Sequence, residues 1–249
     1  MIILNAGVPR SGTVLVNAII RELLRGVSQG VVQSNPNDAE LVKLVRYVQQ
    51  TGRHIHSSQL IHTHSWGPEV SKRLSNEVHL RAVVNYRDPR DVCVSLIKLH
   101  ENDLALTMPV VETCFALMED CARDTGALVL PYELLASYTP AAIFQIARHL
   151  GLWPGLDRVA EIAEATSIDK HRTIMEEVQA GTREKLQRRA NRLRVLVEDK
   201  VTLINDRHIQ SGISGRWKTE LTDEQQQIVN ARFKPILQKY GYEQVDASA

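Results

Sequence analysis

The segment Gly7-Val-Pro-Arg-Ser-Gly12-Thr13 follows a short apolar run, Ile2 to Ala6, and leads into TVLVNAIIRELLR. In that last stretch Leu15, Ile19, Leu23 and Leu24 recur at helical spacing. A strand, a glycine-bearing turn and a helix start bring several backbone N–H groups and the positive end of a helix dipole to one point, which makes an anion site. A nucleoside-triphosphate loop would read GxxxxGK[ST]. Here Thr13 stands where that lysine is needed and Val14 where the magnesium-binding hydroxyl is needed. Such a loop grips phosphate but is poorly equipped for Mg-ATP. The plainer reading is a capped turn in which Ser11 and Thr13 serve the helix N-terminus.

Two further groups of residues carry chemistry. Arg87 and Ser95 flank Asp-Pro-Arg-Asp-Val-Cys-Val, after the apolar run HLRAVVNY at 79–86. With Arg87 closing a strand and Ser95 about two turns into a helix, both side chains can reach one anion. His54, His56, His62 and His64 form two H-x-H pairs. On a strand, positions i and i+2 share a face, so either pair could supply two zinc ligands, or the rings could be structural. A neutral imidazole is also a proton acceptor at pH 7.

These residues need elements to hold them. ALVLPY at 127–132 precedes ELLASYTPAAIFQIARHLGL, where Thr139 and Pro140 read as N-cap and first helical residue and Gly151 as the terminator. Gln59 to Thr63 reads as a fourth strand. Strands alternating with helices predict one α/β domain over 1–249, with a central parallel sheet covered on both faces. Ligands then sit beyond the carboxyl ends of the strands, where these turns lie. Residues 176–200 are charge-dense, and 183–194 reads as a basic helix with a solvated face or as a lid over an anionic ligand.

The 249 residues carry 30 Lys and Arg against 29 Asp and Glu. A balance so close to neutral predicts no general nucleic-acid or membrane binding, so any anion site must be local. Residues 1–20 lack the basic start and continuous apolar run of a signal peptide, and no stretch reaches the ~18 apolar residues of a membrane span. Cys93, Cys114 and Cys121 are odd in number and not spaced as CxxC. The expectation is a cytoplasmic protein with reduced thiols.

Residues 85–96, taken with the 7–13 loop, resemble the PAPS-dependent sulfotransferase family, where PAPS is 3′-phosphoadenosine-5′-phosphosulfate. Its members carry P-[KR]-S-G-T for the 5′-phosphosulfate and R-[ND]-P-R-D-x-x-x-S for the 3′-phosphate, and Arg87 and Ser95 keep the family spacing. Leu60-Ile-His-Thr-His64 is similar to the K-T-H segment, which implies that His64 is the general base. Tyr132-Glu133, Pro140 and His149-Leu-Gly-Leu152 are similar to Y-E-D-L … P … F-L-G. Gly212-Ile-Ser-Gly-Arg-Trp-Lys218 with Leu221-Thr222 resembles G-x-x-G-D-W-K-x-x-L-T, which wraps the 3′-phosphate and adenine. The matches run in the family's order from residue 5 to about 243.

The resemblance implies a P-loop-like fold and metal-independent transfer of a sulfuryl group from PAPS to a hydroxyl or amine of a small acceptor. His64 and Arg10 become the catalytic residues. Arg10, Ser11, Gly12, Thr13, Arg87, Ser95, Tyr132 and Gly212 become the cofactor-binding set, and adenosine 3′,5′-bisphosphate is the product. A single cation such as Arg10, aimed at the oxygen bridging phosphate and sulfate, could serve in place of a metal, because positioning and electrostatics dominate loose transition states of this kind. The acceptor site would be built from loops around 30–60, 100–112 and 165–205.

The chain departs from the pattern at several points. Arg10 replaces the usual lysine and His62 the lysine of K-T-H; Gln210-Ser211 stand where Arg-Lys is expected, with Arg207 several residues out of register. In Thr166-Ser167-Ile168, Ile168 occupies the place of an aromatic that would stack on adenine. No K-x-x-x-T-V-x-x-x-E segment is present, so dimerisation by that route is not implied. Two rivals stay open: a Mg-dependent nucleotide kinase or NTPase, and a non-catalytic nucleotide-binding protein of the same fold.

Overall fold

Each apolar run found in the sequence becomes a strand of one parallel sheet. The strands are β1 (Ile2–Ala6), β2 (Val32–Ser34), β3 (Gln59–Thr63), β4 (Leu80–Tyr86) and β5 (Leu128–Pro131), arranged β2-β3-β1-β4-β5. The structure is a computed structural model that describes residues 1–25, 32–34, 59–64, 66–67, 80–182, 185–191, 194–199 and 213–242, with positions 40, 43, 46, 70 and 74. His54, His56, His79, Arg207, Gln210, Ser211 and Gly212 lie outside the described residues.

Alternate residues of β1 go to opposite faces, as a doubly covered sheet requires. Ile2, Leu4 and Ala6 join Ile61, Ala82 and Val84 beneath α2 (Pro89–His100), α3 (Leu104–Thr125) and α9 (Asp223–Tyr240). Ile3 joins Leu60, Val83 and Leu130 beneath α1 (Thr13–Leu24), α5 (Thr139–His149) and α6 (Leu156–Ala165). Ile2, Ile3 and Leu4 are almost fully buried, and each such side chain contributes roughly 1.5–3 kcal/mol. The remaining helices are α4 (Tyr132–Ser137), α7 (Ile168–Gln179) and α8 (Trp217–Glu220). Among the described residues no helix is long and apolar enough to cross a membrane.

β1 and β4 are neighbours, yet the chain leaves β1 for α1 on one face and β4 for α2 on the other. That divergence is a topological switch point, and in open parallel sheets ligands bind at such a point, beyond the carboxyl ends of the strands.

Two local expectations are corrected. Tyr138 is the N-cap of α5 and Thr139 its first residue, the Thr139 hydroxyl being spent on the Leu135 carbonyl at 2.8 Å. Where it is described, the basic stretch 183–194 is strand and not helix: β6 (Lys185–Asn191) and β7 (Arg194–Asp199) pair antiparallel, with Lys185 opposite Asp199 and Arg188 opposite Leu196. The β-branched Val195 and Val197 favour a pleated conformation for β7, and cross-strand pairing overrides the weak helical preference of the Lys, Gln and Arg of β6.

Candidate active site

Four neighbouring strands, in the order β3-β1-β4-β5, each deliver a site residue as soon as they end. His64 follows Thr63, the Gly7–Gly12 loop follows Ala6, Arg87 follows Tyr86 and Tyr132 follows Pro131. Parallel strands in register align these ends, so residues far apart in sequence meet at one end of the sheet.

The loop is held from below by two asparagines. Asn5 and Asn85 are buried polar residues in otherwise apolar strands, and such groups require partners. Asn5 Nδ2 donates to the Thr13 carbonyl at 2.8 Å and to Asn17 Oδ1 at 2.7 Å. Asn85 Nδ2 donates to the Ser11 hydroxyl at 2.7 Å and to the Ser11 carbonyl, while the Val8 N–H donates to the Asn85 carbonyl at 2.9 Å. The Ser11 hydroxyl donates to the Val8 carbonyl. A Cβ at Gly7 would lie 2.2 Å from Asn85 Oδ1, so only glycine fits there. Neither asparagine was assigned a role from sequence, although a polar residue closing an apolar strand was the available signal.

α1 begins at Thr13 with Gly12 as N-cap at φ 88°, and no side chain caps it. Ser11 is turned back into the loop, so the capped-turn reading is not what the chain adopts. Arg10 also holds a left-handed backbone, at φ 67°, which is strained for a non-glycine residue. Its Nε donates to Ser95 Oγ at 2.8 Å, joining the first loop to α2.

Arg87 is buried against the Tyr132 ring, with its guanidinium carbon 4.3 Å from the ring centroid. Its Nη2 donates to Asp91 Oδ2 at 3.1 Å and to the Ile213 carbonyl at 2.6 Å. Arg87 Nε is buried and has no hydrogen-bond partner among the described residues. The Tyr132 ring also closes over Gly12, where an added Cβ would stand 3.1 Å from it. Burial pushes the Tyr132 phenol up, against the pull of Arg87.

Asp91 was missed as an organiser. Its Oδ2 accepts from Arg87 and from the Gly215 N–H at 2.8 Å, and its Oδ1 from the Trp217 N–H at 3.1 Å. One buried carboxylate thus ties Arg87 to the 213–217 segment that follows Gly212. Asp88 and Arg90 are buried as well. Asp88 caps α2 and pairs with Arg90, whose guanidinium lies 3.9 Å from the Trp217 ring centroid.

On the other side of the loop, His64 Nδ1 lies 2.7 Å from the Gly7 carbonyl. A carbonyl only accepts, so Nδ1 carries the proton and Nε2 presents a lone pair. Burial lowers the His64 pKa below 6.5 first; the Gly7 carbonyl opposes this and the Arg10 charge adds to it. His62 lies beside it, the two rings edge-on at 4.8 Å between centroids. Among the described residues no three His, Cys, Asp or Glu come together as a metal site.

Ser167 caps α7 by accepting from the Lys170 N–H at 3.2 Å, and Ile168 next to it is 38% exposed. Thr222 and Gln225 form a capping box at the start of α9. Arg10 meets Ser95, Arg87 and Gly12 meet the Tyr132 ring, and His64 meets Gly7, while Gly212 lies outside the described residues.

In a search of curated protein sequences nothing matches. Among solved structures, the mouse sulfotransferase SULT7A1 complexed with PAP superposes with a TM-score of 0.63 at 15% identity, covering 95% of this chain and 84% of that one. Retinol dehydratase with androsterone and the inactive cofactor PAP gives 0.61 at 15% identity, covering 95% and 80%. Its complex with retinol and PAP gives 0.62 at 13% identity, covering 95% and 81%. At such identities these likenesses establish a shared fold. The model of the sulfotransferase domain matches residues 2–241, and the chain belongs to that family.

Proposed function

We propose that this chain transfers a sulfuryl group from PAPS to a hydroxyl or amine of a small acceptor, in line and without a metal. One observation carries the reading: a histidine locked as a proton acceptor lies across a single loop from two arginines arranged for an anion. The PAP held by the structural neighbours supports the same donor.

The residues present fit that nucleotide. The orphaned Arg87 Nε and the uncapped start of α1 are donors an anion would satisfy. When bound, PAPS supplies the sulfuryl group on its 5′-phosphate. Arg87 and Ser95 would hold the 3′-phosphate, and the amides of Gly12 and Thr13 would hold the 5′-phosphate, the Ser11 N–H being given to the Val8 carbonyl at 3.3 Å. Arg10 offsets charge developing on the bridging oxygen, electrostatic stabilisation of a kind that preorganised donors perform well. Nε2 of His64 takes the acceptor's proton, while the Gly7 carbonyl keeps the ring in the required tautomer. Val14 offers no oxygen to a magnesium ion, which disfavours Mg-ATP as donor.

Calorimetry with adenosine 3′,5′-bisphosphate, AMP and ATP in the presence of EDTA tests the assignment. The bisphosphate should bind best. Arg87→Ala should weaken it roughly 10- to 150-fold, the worth of a hydrogen bond to a charged group, with little change for AMP. Equal losses for both nucleotides would reject Arg87 as the 3′-phosphate ligand.

A further inference from the structure

The end of the chain's last helix reaches the nucleotide site through a residue that the mechanism above does not use. Just past α9, the Tyr242 hydroxyl donates to Glu133 Oε2 at 2.7 Å. The same residue is anchored on both sides. Its carbonyl accepts from Arg90 Nη2 at 2.9 Å, and its ring stands edge-on to Tyr86, 6.1 Å between centroids. Tyr86 in turn packs on Tyr240 at 4.4 Å.

Glu133 is the neighbour of Tyr132, whose ring supports the Arg87 guanidinium. Its Oε1 is buried without a hydrogen-bond partner among the described residues. The carboxyl is raised by burial, while the Tyr242 hydroxyl and the Arg87 charge pull it down. Glu133 is therefore a carboxyl group within electrostatic reach of the cation proposed to grip the 3′-phosphate. A carboxylate so placed competes with phosphate for the guanidinium unless another donor holds it.

We propose that Tyr242 is a positioning residue: its hydroxyl holds the Glu133 carboxylate away from Arg87 and so keeps that guanidinium available to the 3′-phosphate of the nucleotide. The inference rests on the nucleotide reading given above. It accounts for a buried tyrosine–carboxylate pair beside the site, which packing alone would not require. Tyr240 offers an internal comparison, because its hydroxyl donates at 2.9 Å to Glu119 on α3, a carboxylate that pairs with Lys239 at 2.7 Å.

The test compares adenosine 3′,5′-bisphosphate and AMP by calorimetry in wild type, Tyr242→Phe, Tyr240→Phe, Glu133→Gln and the Tyr242→Phe/Glu133→Gln double variant. Tyr242→Phe should weaken the bisphosphate roughly 2- to 12-fold, the equivalent of one net hydrogen bond, and leave AMP nearly unchanged. Tyr240→Phe should change neither. The double variant should recover wild-type affinity, because the competing charge is gone; a merely structural loss would not be rescued. Unchanged binding in Tyr242→Phe, or a loss that Glu133→Gln does not restore, overturns the inference and leaves the nucleotide reading intact. Should Tyr242→Phe fail to fold, Glu133→Gln alone decides: affinity that holds or rises agrees, and affinity that falls refutes. No bisphosphate binding in the wild type would remove the nucleotide reading and this inference together.

Discussion

Arg10 Nε donates to Ser95 Oγ at 2.8 Å, across 85 residues of sequence. The contact ties the loop after β1 to the helix after β4 at the point where the two strands send their chains apart. It also helps to hold Arg10 in its left-handed backbone, a conformation that costs on the order of 1–3 kcal/mol.

Ser95→Ala should therefore act on both ends of the contact. Losing one hydrogen bond to a charged group should weaken adenosine 3′,5′-bisphosphate roughly 10-fold or more. Because Arg10 loses this anchor as well, kcat should fall along with affinity. Arg10→Ala should lower both to a greater extent. Steady-state kinetics beside calorimetry reads the two effects; a Ser95→Ala enzyme with unaltered Kd and kcat would remove the contact from the account.

His64→Ala should lower kcat by about 10²–10⁴-fold, the usual contribution of a positioned base, with nucleotide affinity nearly intact. His62, ring to ring with His64, must be tested in parallel and in the double variant. If His62→Ala loses turnover and His64→Ala does not, the base is His62.

The pH profile gives an independent reading of the same residue. His64 has its pKa lowered by burial, so the neutral, proton-accepting form persists below pH 6.5 and is lost only as pH falls through the lowered value. The acid limb of kcat/KM should accordingly lie below 6.5. Arg10 contributes to the lowering, so Arg10→Ala should move that limb upward toward 6.5. A limb above 6.5 in the wild type, or one that moves down in Arg10→Ala, contradicts the assignment.

Gly7→Ala forces a Cβ to within 2.2 Å of Asn85 Oδ1 and 2.7 Å of Thr13 Cγ2. Both neighbours are buried and pinned, so the loop must shift. The expected cost is about 1–3 kcal/mol of stability, together with loss of nucleotide binding. Thermal unfolding with and without adenosine 3′,5′-bisphosphate checks it, since a binding-competent variant would still be stabilised by the ligand.

Much of this arrangement could be read from the chain alone. The strands were visible because parallel strands buried on both faces are written as apolar runs, and Ile2 to Ala6 and Leu80 to Tyr86 are such runs. Arg10, Ser11, His64, Arg87 and Tyr132 stood out because each closes or follows one. Asp91 was not legible as an organiser: its partners Gly215 and Trp217 lie 124 and 126 residues away, and only the folded chain brings them to it. The 185–199 hairpin was misread because Lys, Gln and Arg suit a helix when unpaired, whereas antiparallel pairing with the Val195 to Val197 strand decides the outcome.

The most direct measurement follows the sulfur itself. Incubated with sulfur-labelled PAPS, EDTA and a panel of small alcohols, phenols, sugars and amines, the protein should move label onto an acceptor and release adenosine 3′,5′-bisphosphate in equal amount. His64→Ala should slow that transfer about 10²–10⁴-fold. Tight binding of the bisphosphate with no label leaving PAPS for any acceptor, or turnover only with ATP and magnesium, would contradict sulfuryl transfer as the function of this chain.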